Sequence, residues 1–176
     1  MEDGKQVVRL RPKVRTNTGS SIGLALVEGL EFDEGSLEID LKGKGKAEAS
    51  FLGVAFGVVD GKTFEAIYFR PFNFMRDGAF RARAVQYVAW PDHPWEKLRQ
   101  GKPGVYESAV KPVPDPGGWF HARVVVTKQK VSVWVEDAKE SCLVVDRLTS
   151  RGKGKVGLLV DSKEGAFRNL RIVPAK

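Results

Sequence analysis

The chain has 176 residues, 29 Lys+Arg against 22 Asp+Glu for a net charge of +7, one Cys and two His. At ~100–200 residues per domain this predicts a single domain spanning 1–176, large enough to bury ~70% of its unfolded surface. One Cys excludes an intramolecular disulfide framework, and one Cys with two His leaves almost no material for a zinc site; no apolar run approaches the ~18 residues of a membrane-spanning helix.

In chain order the pattern is short strands punctuated by 19 Gly. The start, Met1 to Lys5, carries no charged-then-apolar leader. Gln6–Val14 alternates around Val8, Leu10 and Pro12. Ser36–Lys42 puts Leu37, Ile39 and Leu41 on one face and Glu38 and Asp40 on the other, the period-2 signature of a strand with one buried side. Phe51–Val59 is apolar throughout, as expected of a strand covered on both faces. Asp60-Gly61 then signals a tight hairpin into Ala66–Phe74. A further strand is predicted over Ala84–Trp90, followed by a Pro-rich excursion from Pro91 to Gly118 that holds six of the nine prolines. Within it, Pro94–Arg99 is predicted to make one helical turn at most. Ala122–Val126, Val131–Val135, the stretch around Cys142 and Val156–Val160 complete the strands. Ten to thirteen strands with no sustained helical stripe predict an all-β sandwich or barrel, and this length favours a jelly-roll sandwich.

The positive charge is concentrated in the second half. Residues 1–88 carry 13 basic against 12 acidic side chains, and residues 89–176 carry 16 against 10. The basic residues are dispersed, and the runs Lys42–Lys46 and Arg151–Lys155 are punctuated by Gly, as in solvated turns. No nucleic-acid recognition motif is present, so no nucleic-acid or membrane partner is expected, and oligomeric state is not predicted.

Two stretches hold the candidate chemistry. If 66–74 and 84–90 are neighbouring strands, Tyr68, Arg70, Asn73, Gln86, Trp90, Asp92, His93 and Trp95 line one groove. Aromatic faces stack on sugar C–H surfaces, and amide, carboxylate and guanidinium groups pair with adjacent hydroxyls. Tyr68, Arg70, Asn73, Gln86, Trp90 and Trp95 are therefore the candidate substrate-binding residues. His93, held between Pro91 and Pro94, is the natural acid/base candidate, with Asp92 beside it. The competing reading is that the Trp pair seals the loop and Arg70 has a structural partner. Glu38 with Asp40 is the nearest approach to a carboxylate pair; Glu65 and Glu107 are further possibilities, and ordinary strand carboxylates are the bland alternative. His121 reads as structural and Cys142 as an inert thiol. No phosphate loop, Gly-x-Ser-x-Gly or EF-hand spacing occurs, so no metal ligands are assigned. A structural calcium held by backbone carbonyls and one Asp would leave no trace in the sequence.

The strings AIYFRPFNF, AVQYVAWPDHPWEKLR, PGVYE, GWFHARVVV and KVGLLVDSKEGAFRNLRI resemble bacterial concanavalin A-like lectin/glucanase domains, and more narrowly the 3-keto-disaccharide hydrolase or laminin-G-like proteins. The resemblance covers roughly residues 30–173. It implies a concanavalin A-like jelly roll of two curved antiparallel sheets whose concave sheet carries a sugar site. It marks Tyr68, Arg70, Asn73, Gln86, Asp92, His93 and Trp95 as signature positions. The Glu-x-Asp-x-x-Glu strand of the glucanase relatives is absent, which counts against their hydrolytic mechanism. The function expected is lectin-like carbohydrate binding. The alternatives are hydrolysis of a modified disaccharide and a non-catalytic protein-interaction domain. The resemblance also implies an extracellular or periplasmic protein whose signal peptide has been removed, with a cytoplasmic protein as the alternative.

Overall fold

The computed structural model describes residues 2, 4–12, 22–46 and 50–175. Of the alternating run expected over 6–14, residues 13 and 14 lie outside them, as do Met1 and Asp3 of the opening stretch. Strands dominate, in the order β1 (Val8–Leu10), β2 (Ile22–Phe32), β3 (Gly35–Lys42), β4 (Phe51–Asp60), β5 (Thr63–Phe69), β6 (Val85–Trp90), β7 (Glu107–Ser108), β8 (Phe120–Val126), β9 (Lys130–Val135), β10 (Leu143–Asp146), β11 (Gly154–Asp161) and β12 (Gly165–Pro174). Two short helices, α1 (Gly78–Arg81) and α2 (Trp95–Gly101), and a single 3-10 turn at Pro71–Asn73 interrupt them.

The strands form two antiparallel six-stranded sheets, ordered β1-β12-β3-β8-β9-β10 and β2-β11-β4-β5-β6-β7. This is the expected all-β jelly-roll sandwich. The first sheet turns Leu37, Ile39 and Leu41 of β3 and Val131, Val133 and Val135 of β9 inward, all at most 1% exposed, as their alternation requires. The second sheet faces them with Leu52, Val54, Ile67, Phe69, Val85 and Tyr87, which share one side by register. Phe120 of β8 locks the layers edge-on, with ring centroids 5.2 Å from both Phe69 and Phe74. The Asp60-Gly61 hairpin forms as predicted: Asp60 pairs with Thr63, and Asp60 Oδ1 accepts from Lys62 N at 2.7 Å.

Three features depart from the sequence reading. The strand β2 was not expected. The helix at residues 95–101 is nearly two turns long, with Pro94 preceding it as the cap. The strand expected over Ala66–Phe74 ends at Phe69: Arg70 lies just past it and caps a 3-10 turn, Pro71–Asn73, that takes in Phe72 and Asn73.

Candidate functional site

Register sets the site. Leu24, Leu159, Gly53, Tyr68, Gln86 and Glu107 stand in one row across β2, β11, β4, β5, β6 and β7. Residues directly opposite on neighbouring strands share a face. Because Ile67, Phe69 and Tyr87 point into the sandwich, this row lies on the sheet's outer face. Gly53 is required there. A Cβ at Gly53 would overlap the Ile67 carbonyl and sit 2.6 Å from Tyr68 Cα.

At the centre, the Tyr68 hydroxyl donates to Gln86 Oε1 at 2.9 Å and accepts from Arg70 Nη2 at 2.8 Å. Arg70 Nη2 also donates to Gln86 Oε1 at 2.6 Å, and Nη1 donates to the Arg83 carbonyl at 2.9 Å. The Arg70 guanidinium sits 4.9 Å from the Tyr68 ring centroid and 5.5 Å from that of Phe51. Phe51 in turn packs edge-on against Phe72 at 5.4 Å. Arg70 is only 5% exposed, yet it forms no ion pair with any described residue. Burial lowers its pKa from that of a free guanidinium, partly offset by the attraction of Tyr68. The same burial pushes the Tyr68 phenol up to about 12, so at neutral pH it is a hydrogen-bond donor.

The site extends through Glu107, whose carboxylate accepts both Arg99 Nε at 3.1 Å and Arg99 Nη2 at 2.7 Å, the paired geometry that guanidinium and carboxylate favour. Arg83 Nε approaches the same carboxylate at 3.7 Å. Arg99 also lies over the Trp95 ring, 4.7 Å from its centroid, an i, i+4 contact on α2. Asn73 Nδ2 reaches the Arg83 carbonyl at 3.4 Å, while its Oδ1 is buried with no partner among the described residues.

The structure thus brings Tyr68, Arg70 and Gln86 into contact, joins Asn73 to them through the Arg83 carbonyl, and links Trp95 through Arg99 and Glu107. Trp90 shares the outer face but lies opposite Phe64, four residues along β6 from Gln86, roughly 13 Å away at strand rise. Its carbonyl accepts from Arg151 Nη2 at 2.7 Å. Asp92 and His93 sit on the turn that follows, closed by His93 N donating to the Ala89 carbonyl at 2.7 Å. Among the described residues neither makes a side-chain hydrogen bond, and the structure does not join them to the Tyr68 cluster.

The other candidate carboxylates are committed elsewhere. Glu38 and Asp40 lie on the outer face of the opposite sheet. Asp40 is bonded by His121 Nδ1 at 2.9 Å, Arg168 Nε at 3.2 Å and Asn169 Nδ2 at 2.7 Å. Burial alone would raise its pKa; those hydrogen bonds outweigh it and hold the carboxyl below its usual range. Glu65 is fully buried between the sheets. It accepts from Arg147 Nη2 at 3.0 Å, from Thr149 Oγ1 at 2.7 Å and from the Tyr87 hydroxyl. Burial pushes the Cys142 thiol up to about 11, so it stays protonated and unreactive. Among the described residues no group of three or more His, Cys, Asp or Glu gathers in a way that would hold a metal ion.

Phe51, Arg83 and Arg99 are part of the site and were not singled out in the sequence. The available signal was that Phe51 opens an apolar strand and that Arg99 follows Trp95 by four residues on a helix. Neither says which strand lies beside which.

Compared with known proteins, residues 1–173 match the family model described as 3-keto-alpha-glucoside-1,2-lyase-like domain. No curated protein matches the chain in sequence. Among solved structures, the carbohydrate-binding module CBM66 from Bacillus subtilis superposes with TM-score 0.62 at 12% identity, covering 92% of each chain. Congerin II bound to lactose and MES does so with TM-score 0.55 at 12% identity, over 85% of this chain and 99% of the other. The homodimeric agglutinin CG-16 from chicken liver matches at 0.53 and 14%, over 85% and 99%. At these identities the likeness is one of fold.

Proposed function

We propose, from the premise that this chain belongs to the 3-keto-α-glucoside-1,2-lyase-like domain family, that it binds carbohydrate on the outer face of the β2-β11-β4-β5-β6-β7 sheet. The observation that carries this reading is the Arg70–Tyr68–Gln86 cluster set against the Phe51 ring. It combines a flat apolar surface with fixed polar groups, the pairing that saccharides require. Gln86, 1% exposed, accepts two internal hydrogen bonds at Oε1 while its Nε2 donates to no described residue, so its amide is an oriented donor wherever a hydroxyl reaches it. The names of a carbohydrate-binding module and a lactose-liganded lectin among the fold neighbours support the same ligand class.

Turnover of a modified disaccharide is the second reading, favoured by the family description itself. It needs a group that moves a proton near neutral pH. Tyr68 is held protonated, and the Glu107 carboxylate is engaged by Arg99 in two hydrogen bonds and approached by Arg83. Tyr68 is therefore better suited to recognising a hydroxyl than to exchanging a proton.

The test is calorimetric titration with glucosides, galactosides, fructosides and their disaccharides, alongside NMR monitoring of each sugar for cleavage. Binding is expected to weaken about tenfold in Gln86→Ala, the loss of one to two hydrogen bonds. If no sugar binds the folded protein, the proposal fails. Cleavage that survives in Gln86→Ala and Tyr68→Phe would place a reaction elsewhere on the chain.

A further inference from the structure

Resting on that carbohydrate reading, we infer that the site selects saccharides carrying a carboxylate, a uronic-acid residue set against Arg70. The argument is one of charge. Three guanidiniums, those of Arg70, Arg83 and Arg99, converge on the Tyr68–Gln86–Glu107 row. Among the described residues Glu107 is the one carboxylate bonded to any of them, and it is occupied by Arg99 in two hydrogen bonds and approached by Arg83. Asp161, at the end of β11 opposite Phe51, is the second acid on this face and accepts from Ser162 Oγ at 3.2 Å. Among these described groups, three guanidiniums stand against the carboxylates of Glu107 and Asp161.

Arg70 is the group left uncompensated. A guanidinium cannot discharge itself as a buried lysine can, and burying an ion without a counter-ion is costly. Its three hydrogen bonds all go to neutral oxygens, those of Tyr68, Gln86 and the Arg83 carbonyl. Its Nε has no acceptor among the described residues. Neutral acceptors satisfy the geometry of a guanidinium without cancelling its charge. A ligand carboxylate would do both, in a site whose low dielectric strengthens the attraction. A neutral sugar would leave the charge as it stands.

The experiment compares matched ligands by calorimetry on the intact protein. The pairs are methyl glucuronide with methyl glucoside, and a uronate-terminated disaccharide with its neutral counterpart, each at low and high salt. Sodium acetate and sodium sulfate serve as free-anion probes. The acidic member is expected to bind about tenfold tighter or more, as for one charge-assisted hydrogen bond. The gap should narrow with salt. It should also narrow in Arg83→Gln, whose side chain is one-third exposed and whose loss threatens folding less than that of Arg70. Equal or tighter binding of the neutral member overturns the charge inference and leaves the carbohydrate reading intact. Acetate or sulfate binding as tightly as the uronate overturns the saccharide part and leaves an anion site. Binding of none of these ligands or of the neutral panel overturns both.

Discussion

A phenol whose oxygen both donates to an amide and accepts from a guanidinium titrates late. Burial pushes Tyr68 up to about 12, from about 10 in the unfolded chain. The folded state therefore holds this proton more tightly than the unfolded state does. Linkage then makes the stability contribution fully present below pH 10 and lost as pH rises from about 10 to about 12. Urea midpoints measured across that range should fall more steeply for the native protein than for Tyr68→Phe; parallel slopes would contradict the assignment. Gly53, next to Tyr68 on β4, gives a second prediction at this scale. Gly53→Ala forces a methyl into the backbone of β5, so it should cost about 2–4 kcal/mol by chemical denaturation, against less than about 1 kcal/mol for Gly61→Ala, where a Cβ meets open space. The contact of Tyr68 with Gln86 was legible in the sequence because two alternating strands joined by a short segment tend to be neighbours. The roles of Arg83 and Arg99 were not, because a side chain reaching across from a turn or a helix leaves no periodic trace.

The helix α2 shows how an element can be half-read. Its proline and its Trp95-to-Arg99 spacing are visible in the sequence, but its second turn depends on Leu98 finding a cover over β6. Leu98 is 5% exposed while Trp95 is 38% exposed. Leu98→Ala should therefore destabilise by about 2–3 kcal/mol and Trp95→Ala by about 1 kcal/mol or less, although tryptophan is much the larger side chain. Thermal unfolding of the two variants gives the order directly, and the reverse order would mean that Trp95 anchors the loop. The strand β2 escaped notice for the opposite reason. Between its pairings with Gly157 and Lys155, four residues of β2, Val27 to Leu30, run past the single residue Val156 of β11, with Gly29 at φ 71. Such a bulge shifts side chains between faces, so the apolar residues on its two sides do not share one period-2 register and the run does not read as a strand.

At the scale of the molecule, alternation predicts how many strands there are and which faces they bury, but not their order. The order β2-β11-β4 interleaves the two ends of the chain, and a local pattern carries no record of so distant a pairing. The same blindness hid what joins the layers. Glu65 reads locally as one more strand carboxylate, yet it points into the sandwich. There it meets Arg147, which follows β10 of the opposite sheet, in an ion pair whose side chains are 0% and 2% exposed. Arg147 further donates to the Arg151 carbonyl at 3.1 Å, and Leu148 N donates to the Tyr87 hydroxyl at 3.2 Å. Burial works against the charge on Arg147, and the hydrogen bonds and attraction of Glu65 outweigh it, raising its pKa. Removing Arg147 leaves the Glu65 charge buried without its ion-pair partner, and removing Glu65 leaves Arg147 with only the longer contact of its Nη1 to Asp33 Oδ1 at 3.5 Å. Glu65→Ala or Arg147→Ala should each cost about 3–5 kcal/mol. A double replacement, Glu65→Leu with Arg147→Met, removes both charges and should recover much of that loss, although the Tyr87 hydroxyl then keeps only Leu148 N. Urea denaturation of the three variants decides the matter. Single losses below about 1 kcal/mol would mean that water or another group reaches the pair. A double variant no better than the singles would mean that the hydrogen bonds to Thr149 and Tyr87, rather than the ion pair, hold the two sheets in register.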